Sequence, residues 1–515
     1  MERTKNAIRN TKWGVIHRLA TMLGSFCMRT VLIYKLGAEY AGLNSLFTSV
    51  LSILSLTELG FSNAIVYSMY KPIAEKDNDT LCALLNLYKK TYRVIGGVIL
   101  GLGLMLLPVL KFLIKSDVPP DINLYVLYIA FLSDTVISYF LFAYKSSLLY
   151  AHQRNDIGSR NSAIIDVSFT IGNILLLLVF GNYYIYVVCL VAATISKNLY
   201  NSAVVDRLYP EIRCRGQISK ELKDDIKQRV LGLVIWKVGA ATRNTLDSIV
   251  ISAFLGLITV TIYNNYFYIM TSLSSVFGII TSSFNAGVGN KLVTDTPEEN
   301  YKDFNKFNLI YVLLTGWASI CLLCLYQPFM TLWMGEDLLL PFLPMVLFCV
   351  YFFVMKMGDI NSTYYHAAGL WHYGRYRSII EAGLNLCFNL VFGYLWGVTG
   401  VILATILSML IIWPYASGIV FKQYFKHCKA AEFQKQTALY ALMTAMTGAL
   451  TYGVCLALPI VFGELSTIAE LFLRGIVCVL AFFVLWACFS QVRWYPEAKE
   501  FVLLNAKRVL AGIKK

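Results

Sequence analysis

WGVIHRLATMLGSFCMRTVLIYKL, residues 13–36, is a nearly unbroken apolar stretch that admits two arginines, Arg18 and Arg29. A run of about 20 apolar residues is long enough to cross about 30 Å of hydrocarbon as a helix. A charge facing lipid is costly at that depth, so intramembrane cations usually face a bundle interior or a wet cavity and mark a pathway. The seventh such stretch, VLGLVIWKVGAATRNTLDSIVISAF at residues 230–254, repeats the pattern with Lys237 and Arg243.

The rest of the chain follows the same grammar. Of 515 residues, 57% are hydrophobic and only 14% charged, and the mean hydropathy is +0.62. A soluble protein this apolar would have too little polar surface to show water. Windows of span length predict fourteen membrane helices: 13–36, 41–69, 94–112, 124–149, 162–180, 184–205, 230–254, 262–284, 308–325, 342–367, 378–396, 401–421, 437–462 and 471–489. Barrel strands would alternate over about ten residues, and these runs stay apolar far longer. The expected fold class is therefore all-α and polytopic.

The basic residues set the expected orientation. With a cytoplasmic N-terminus, only Lys35, Lys111 and Lys115 of the 44 Lys and Arg fall in outer segments, an asymmetry that places both termini in the cytoplasm. The net charge of +14 is thus mainly a topology signal that also suits anionic lipid headgroups. Scattered over many short loops, these charges offer no nucleic-acid-binding face. Residues 1–12 are polar and the following run is too long for a cleavable signal, so the first helix is expected to remain. The 12 cysteines are mostly isolated within spans and read as packing residues, with neither a disulfide framework nor a metal site. Cys321 and Cys324 form a CxxC on an apolar helix, without a nearby His or second pair.

Residues 206–229 carry seven Lys or Arg and read as an amphipathic connector. Six spans precede it, an even number, so span seven enters in the direction of span one, as parallel repeats require. A shift of 219 places Leu36-Gly37 on Leu255-Gly256 and Arg18 on Lys237, and a shift of 211 places Ala193-Thr194-Ile195 on Ala404-Thr405-Ile406. The expected division is a six-helix lobe at 1–207, the connector at 208–229, a second six-helix lobe at 230–430, and an appended two-helix hairpin with a cytoplasmic tail at 431–515.

The run Lys35-Leu36-Gly37-Ala38-Glu39-Tyr40-Ala41-Gly42, followed by Leu59-Gly60-Phe61-Ser62-Asn63-Ala64, resembles the opening of polysaccharide transporters of the O-antigen and capsule repeat-unit flippase family. That family lies in the multidrug/oligosaccharidyl-lipid/polysaccharide exporter superfamily. Residues 148–154, Leu246-Asp247, and Asn385 through Gly397, Gly400 and Ala404 extend the resemblance over roughly Thr11 to Phe421. It implies two lobes in a V around a central cavity, alternating access, and a polyprenyl-diphosphate-linked oligosaccharide as cargo. Expected partners are that lipid-linked oligosaccharide, membrane lipids, and the polymerase and glycosyltransferases of the same pathway. The expected location is the bacterial inner membrane.

Arg18 and Arg29 are eleven residues apart, about three turns, and so lie within roughly 20° of each other on one helix face. With Lys237 and Arg243 they form the expected substrate-binding set, since Arg bonds two phosphate oxygens at once and Lys serves as a point charge. The alternatives are a snorkelling Arg18 and an intrahelical pair of Arg243 with Asp247. Glu58, Asp134, Asp247 and Asp359 are intramembrane carboxylates, candidates for coupling to H⁺ or Na⁺ or for charge compensation. Asp247 is the preferred coupling group because it shares a helix with Lys237 and Arg243. Asp134 and Lys145 are expected on one face by the same spacing, and Lys356 is close enough to pair with Asp359. The 33 Tyr and 31 Phe read mostly as interfacial belts.

No catalytic motif is present: there is no Walker loop, GxSxG or HExxH, and no cofactor or metal is expected. The expected function is a flippase rather than an enzyme. The alternatives are a cation-coupled multidrug exporter, which would present carboxylates rather than cations to its cargo, and a membrane-embedded glycosyltransferase or ligase, which would need a larger extramembrane loop.

Overall fold

The computed structural model describes residues 2–55, 61–370, 373–374, 376–463 and 465–513; side chains at 2–5, 7–8, 228–229, 231–244, 283, 285–286, 293 and 505–513 are outside the description. Among the described residues the chain is all helix with no strand. It divides into two compact units, Met1–Thr261 and Ile262–Lys515.

The first unit contains α1 (Glu2–Lys35), α2 (Ala38–Leu54), α3 (Phe61–Glu75), α4 (Asn78–Met105), α5 (Leu124–Phe140), α6 (Ser146–Ala151), α7 (Asn155–Phe180), α8 (Tyr183–Leu208) and α9 (Lys220–Leu255). Polar caps begin several of them. Asp77 accepts from the Thr80 amide, Asn123 from Tyr125 and Val126, Asn182 from Tyr184 and Ile185, and Ser219 from Leu222, each satisfying donors a helix start leaves orphaned. α1 lies along α7, which also packs on α8, while α5 contacts α4 and α8 and α2 contacts α9.

α10 (Leu257–Thr294) carries the division between the units. The second unit continues with α11 (Pro297–Met334), α12 (Phe342–Lys356), α13 (Asp359–Ala367), α14 (Arg377–Gln423), α15 (Ala430–Phe462), α16 (Thr467–Phe489) and α17 (Tyr495–Ile513). α11 starts with a capping box between Thr296 and Glu299 and serves as the hub, touching α12, α13, α15, α16 and α17. Near its N-terminal end, Phe304 packs its ring 5.2 to 5.7 Å from those of Tyr364, Phe421, Phe425 and Phe433.

Eight of the described helices are long and apolar enough to cross a membrane, or ten if each of two bent pairs counts once. This count covers the described residues alone, and among them some of the fourteen expected runs are divided or joined. Span two is shared between α2 and α3, whereas span ten, formed by α12 and α13, is counted as one. Span four bends by 47° after α5, where Phe142 takes a left-handed backbone at φ 59°. Spans eleven and twelve lie together in α14, parted at Gly397, whose φ of 58° and ψ of −135° are not helical. Close return at that break requires glycine again. A Cβ on Gly400 would stand 1.9 Å from the Phe392 carbonyl oxygen, a separation no side chain tolerates.

The residues aligned by the shift of 219 end up alike. Gly37 joins α1 to α2 at φ 124° and ψ 168°, and Gly256 joins α9 to α10 at φ 91° and ψ 177°.

Candidate functional site

α1 runs without a break through Arg18 and Arg29, so the three-turn spacing holds them on one face. Arg18 presents an exposed side chain, whereas Arg29 is half-buried. The Arg29 guanidinium is aimed by neutral acceptors: it donates to Ser45 Oγ at 3.4 Å and to the Thr261 carbonyl at 3.2 Å. Tyr186 lies close enough to interact with its charge and donates its own hydroxyl to Asn44 at 3.3 Å.

Beside these cations runs a connected ionic set within the first unit. His17 Nε2 is 3.0 Å from Asp166 Oδ2, and Asp166 Oδ1 accepts from Lys197 Nζ at 3.0 Å. Asp134 accepts from Thr194 and lies within the field of Lys197. Its Oδ1 is buried with no partner among the described residues. Four helices supply this set: α1, α5, α7 and α8. Two carboxylates sharing one ammonium and one imidazole can hold a proton or exchange it for a small cation, because each lost charge leaves its neighbour uncompensated.

A family model described as "Polysaccharide biosynthesis protein" matches residues 7–284, more than half of the chain. The chain belongs to this polysaccharide biosynthesis family. Its fold is shared with transporters of known structure. "Lipid II flippase MurJ, inward closed conformation" superposes with a TM-score of 0.64 at 14% identity, over 94% of this chain and 99% of that one. An inward-facing multidrug resistance MATE family transporter of the MOP superfamily gives 0.59 at 15% identity, over 82% and 99%. The Vibrio cholerae MATE transporter VcmN in its bent form gives 0.52 at 12% identity, over 85% and 99%. No curated protein matches the chain at a significant level. The chain is thus a multi-pass membrane protein with a transporter fold.

Within this family member the sequence-predicted residues meet different fates. Lys237 and Arg243 lie on α9, but their side chains fall outside the described residues, as does Glu58 altogether. Asp247 is fully buried. Asp359 accepts from the Tyr311 hydroxyl at 2.6 Å and from Lys356 Nζ at 3.0 Å, which is the charge-compensated arrangement. The expected face shared by Asp134 and Lys145 does not form. The helix ends at Phe140, and Lys145 instead bonds both oxygens of Asp206 at 2.6 and 2.7 Å.

Asp166, Lys197 and His17 were not singled out from the sequence, although all three stand inside predicted spans. Their position among apolar residues was the available signal. In the second unit, Asn385 donates to Thr405 at 2.9 Å and Asn389 to Asn385 at 3.2 Å, all three buried. The threonines of the two recurring Ala-Thr-Ile triplets thus both enter intramembrane hydrogen bonds, Thr194 with Asp134 and Thr405 with Asn385.

Proposed function

We propose that this chain is a flippase that carries a polyprenyl-diphosphate-linked oligosaccharide from the cytoplasmic to the outer leaflet of the bacterial inner membrane by alternating access. The observation that carries this reading is the two-point guanidinium face of α1, Arg18 exposed and Arg29 oriented by Ser45 and the Thr261 carbonyl, in a chain of the polysaccharide biosynthesis family whose fold resembles a lipid II flippase. Paired guanidinium groups suit a diphosphate because each binds two oxygens in a fixed fork. Lys237 and Arg243 complete the diphosphate set in this reading. The oligosaccharide's assembling and polymerising enzymes act before and after it, and both termini face the cytoplasm.

Ion coupling, by H⁺ or Na⁺, falls in this reading to Asp134 and Asp247. Asp359, closed by Lys356 and Tyr311, provides charge compensation. A multidrug exporter is the second reading, favoured by the MATE-like fold, but a cationic face opposes an organic-cation cargo.

The deciding experiment expresses Arg18→Ala, Arg29→Ala and Lys237→Ala separately in a host lacking its own copy, and scores surface polysaccharide together with membrane abundance of each variant. Loss of glycan at normal abundance is expected. Wild-type glycan output from the Arg18 and Lys237 variants would refute the reading, and changed drug susceptibility with unchanged glycan would favour the exporter.

A further inference from the structure

The fold brings together cysteines that the sequence keeps far apart. α11 carries Cys321 and Cys324, α15 carries Cys455 and α16 carries Cys478. Cys478 lies on the face of α16 held to α11 beside Cys321 and Cys324 by the Trp317 and Arg474 bonds, and its thiol is near enough to act on both, as Cys455 is on Cys324. The CxxC that appeared to lack a second pair therefore has one, supplied by the two helices of the appended hairpin.

Close helix approach makes this convergence possible. A Cβ on Gly316 of α11 would meet the Thr444 hydroxyl of α15 at 2.6 Å, and Gly448 of α15 faces Ile320 and Leu323 of α11 at 3.5 and 3.7 Å. Small residues at such crossings let neighbouring helices share a narrow interface. α16 is pinned to the same stretch by Trp317 Nε1, which donates to the Cys478 carbonyl at 2.8 Å, and by Arg474, which donates to the Cys324 carbonyl at 3.0 Å. Arg474 is 8% exposed, pairs with Glu470 at 2.6 Å, and keeps a buried Nε with no partner among the described residues. It lies close enough to act electrostatically on Cys455 and Cys478. A spare donor and a positive charge beside thiols are what a transient thiolate needs in an apolar setting.

We propose that these four thiols form a redox-dependent clasp, closing as Cys321–Cys478 and Cys324–Cys455 and fastening both helices of the hairpin to α11. The oxidant is a low-molecular-weight disulfide apolar enough to enter lipid. For each bond, one thiolate attacks the oxidant's disulfide, forming a mixed disulfide and releasing one small thiol. The second cysteine, losing its proton, displaces the other small thiol. Two protein S–H bonds are thereby exchanged for one S–S bond while the oxidant's S–S bond becomes two S–H bonds. This inference is independent of the cargo.

The test treats the full-length protein in native membranes with 4,4′-dithiodipyridine, blocks remaining thiols with an alkylating agent, and maps peptides by mass spectrometry without reduction. Peptides holding Cys321 and Cys324 should be found joined to those holding Cys455 and Cys478, and dithiothreitol should abolish both links. Cys321→Ala should lose only the link to Cys478, and Cys455→Ala only its own. Absence of both links in the wild-type protein, or joins to cysteines outside these four, would overturn the clasp. Loss of both links in either single variant would overturn the pairing.

Discussion

The interiors of the two units are built from different materials. In α7 and α8 of the first unit, 17% of the most apolar window is buried; in the second, the outer helices α15 and α16 are similar at 28% and 22%, whereas its central α11 reaches 67%. The first unit carries a part-exposed charge set, His17–Asp166–Lys197, and a buried Asn161–Asn201 bond at 3.2 Å. The second wraps aromatic rings around α11. Lipid removes the hydrophobic drive for helix association, leaving packing and polar bonds to do it. Dense ring packing fixes one arrangement, whereas attraction within a part-exposed ionic set is screened. The contrast therefore predicts that the second unit loses more stability with a ring than the first loses with a charge.

The largest effect should come from the rigid side. Phe304→Ala opens a cavity among Tyr364, Phe421, Phe425 and Phe433 and should cost about 3–5 kcal/mol, read as a lower unfolding temperature in detergent. An Asp166→Asn variant losing as much stability would erase the contrast.

Next is the break in α14. Gly400→Ala drives a methyl into the Phe392 carbonyl oxygen, at a nominal 1.9 Å, and should cost about 1–3 kcal/mol or more. Tolerance of this change would mean that spans eleven and twelve part elsewhere. Smaller in stability is Lys197→Met, expected at about 1–2 kcal/mol because Lys197 and Asp166 side chains are 35% and 24% exposed, which screens their attraction. Its transport defect should exceed its stability defect. Equal losses would reduce the ionic set to scaffolding.

These contrasts were unequally visible in the sequence. Membrane helices announce themselves through long apolar runs, and the pair of Lys356 with Asp359 was legible because three residues of separation keep the two close even across the turn between α12 and α13. The α1 face was equally legible, because that helix is unbroken. Asp134 with Lys145 failed because the spacing argument assumes continuity, and Phe142, a bulky residue, adopts a positive φ that no local pattern advertises. The ionic set on α1, α7 and α8 depends on which spans are neighbours, and the cysteine cluster on a hairpin folding back onto α11. Both are facts of tertiary packing, invisible to periodicity. The glycines at positions 37, 256, 397 and 400 lie between: the residue type signalled a junction, and only the backbone showed which required a positive φ or a carbonyl contact.

The smallest expected effect asks whether the polar character of the first unit reaches its rim. His152 lies just beyond α6, its ring stacked 4.4 Å from that of Tyr209. Burial lowers its pKa below the ordinary histidine value, only partly opposed by Glu211, and its Nε2 has no partner among the described residues. A base with a depressed folded-state pKa binds fewer protons folded than unfolded. Stability then rises with pH through this window and is lost as pH falls below about 6.5 toward the folded-state value. The half-buried ring limits the effect to under about 1 kcal/mol. His152→Phe keeps an aromatic ring against Tyr209 and removes the titration, so it should flatten the dependence of unfolding temperature on pH between about 8 and 5. An unchanged slope would show that His152 contributes nothing to the pH dependence of stability.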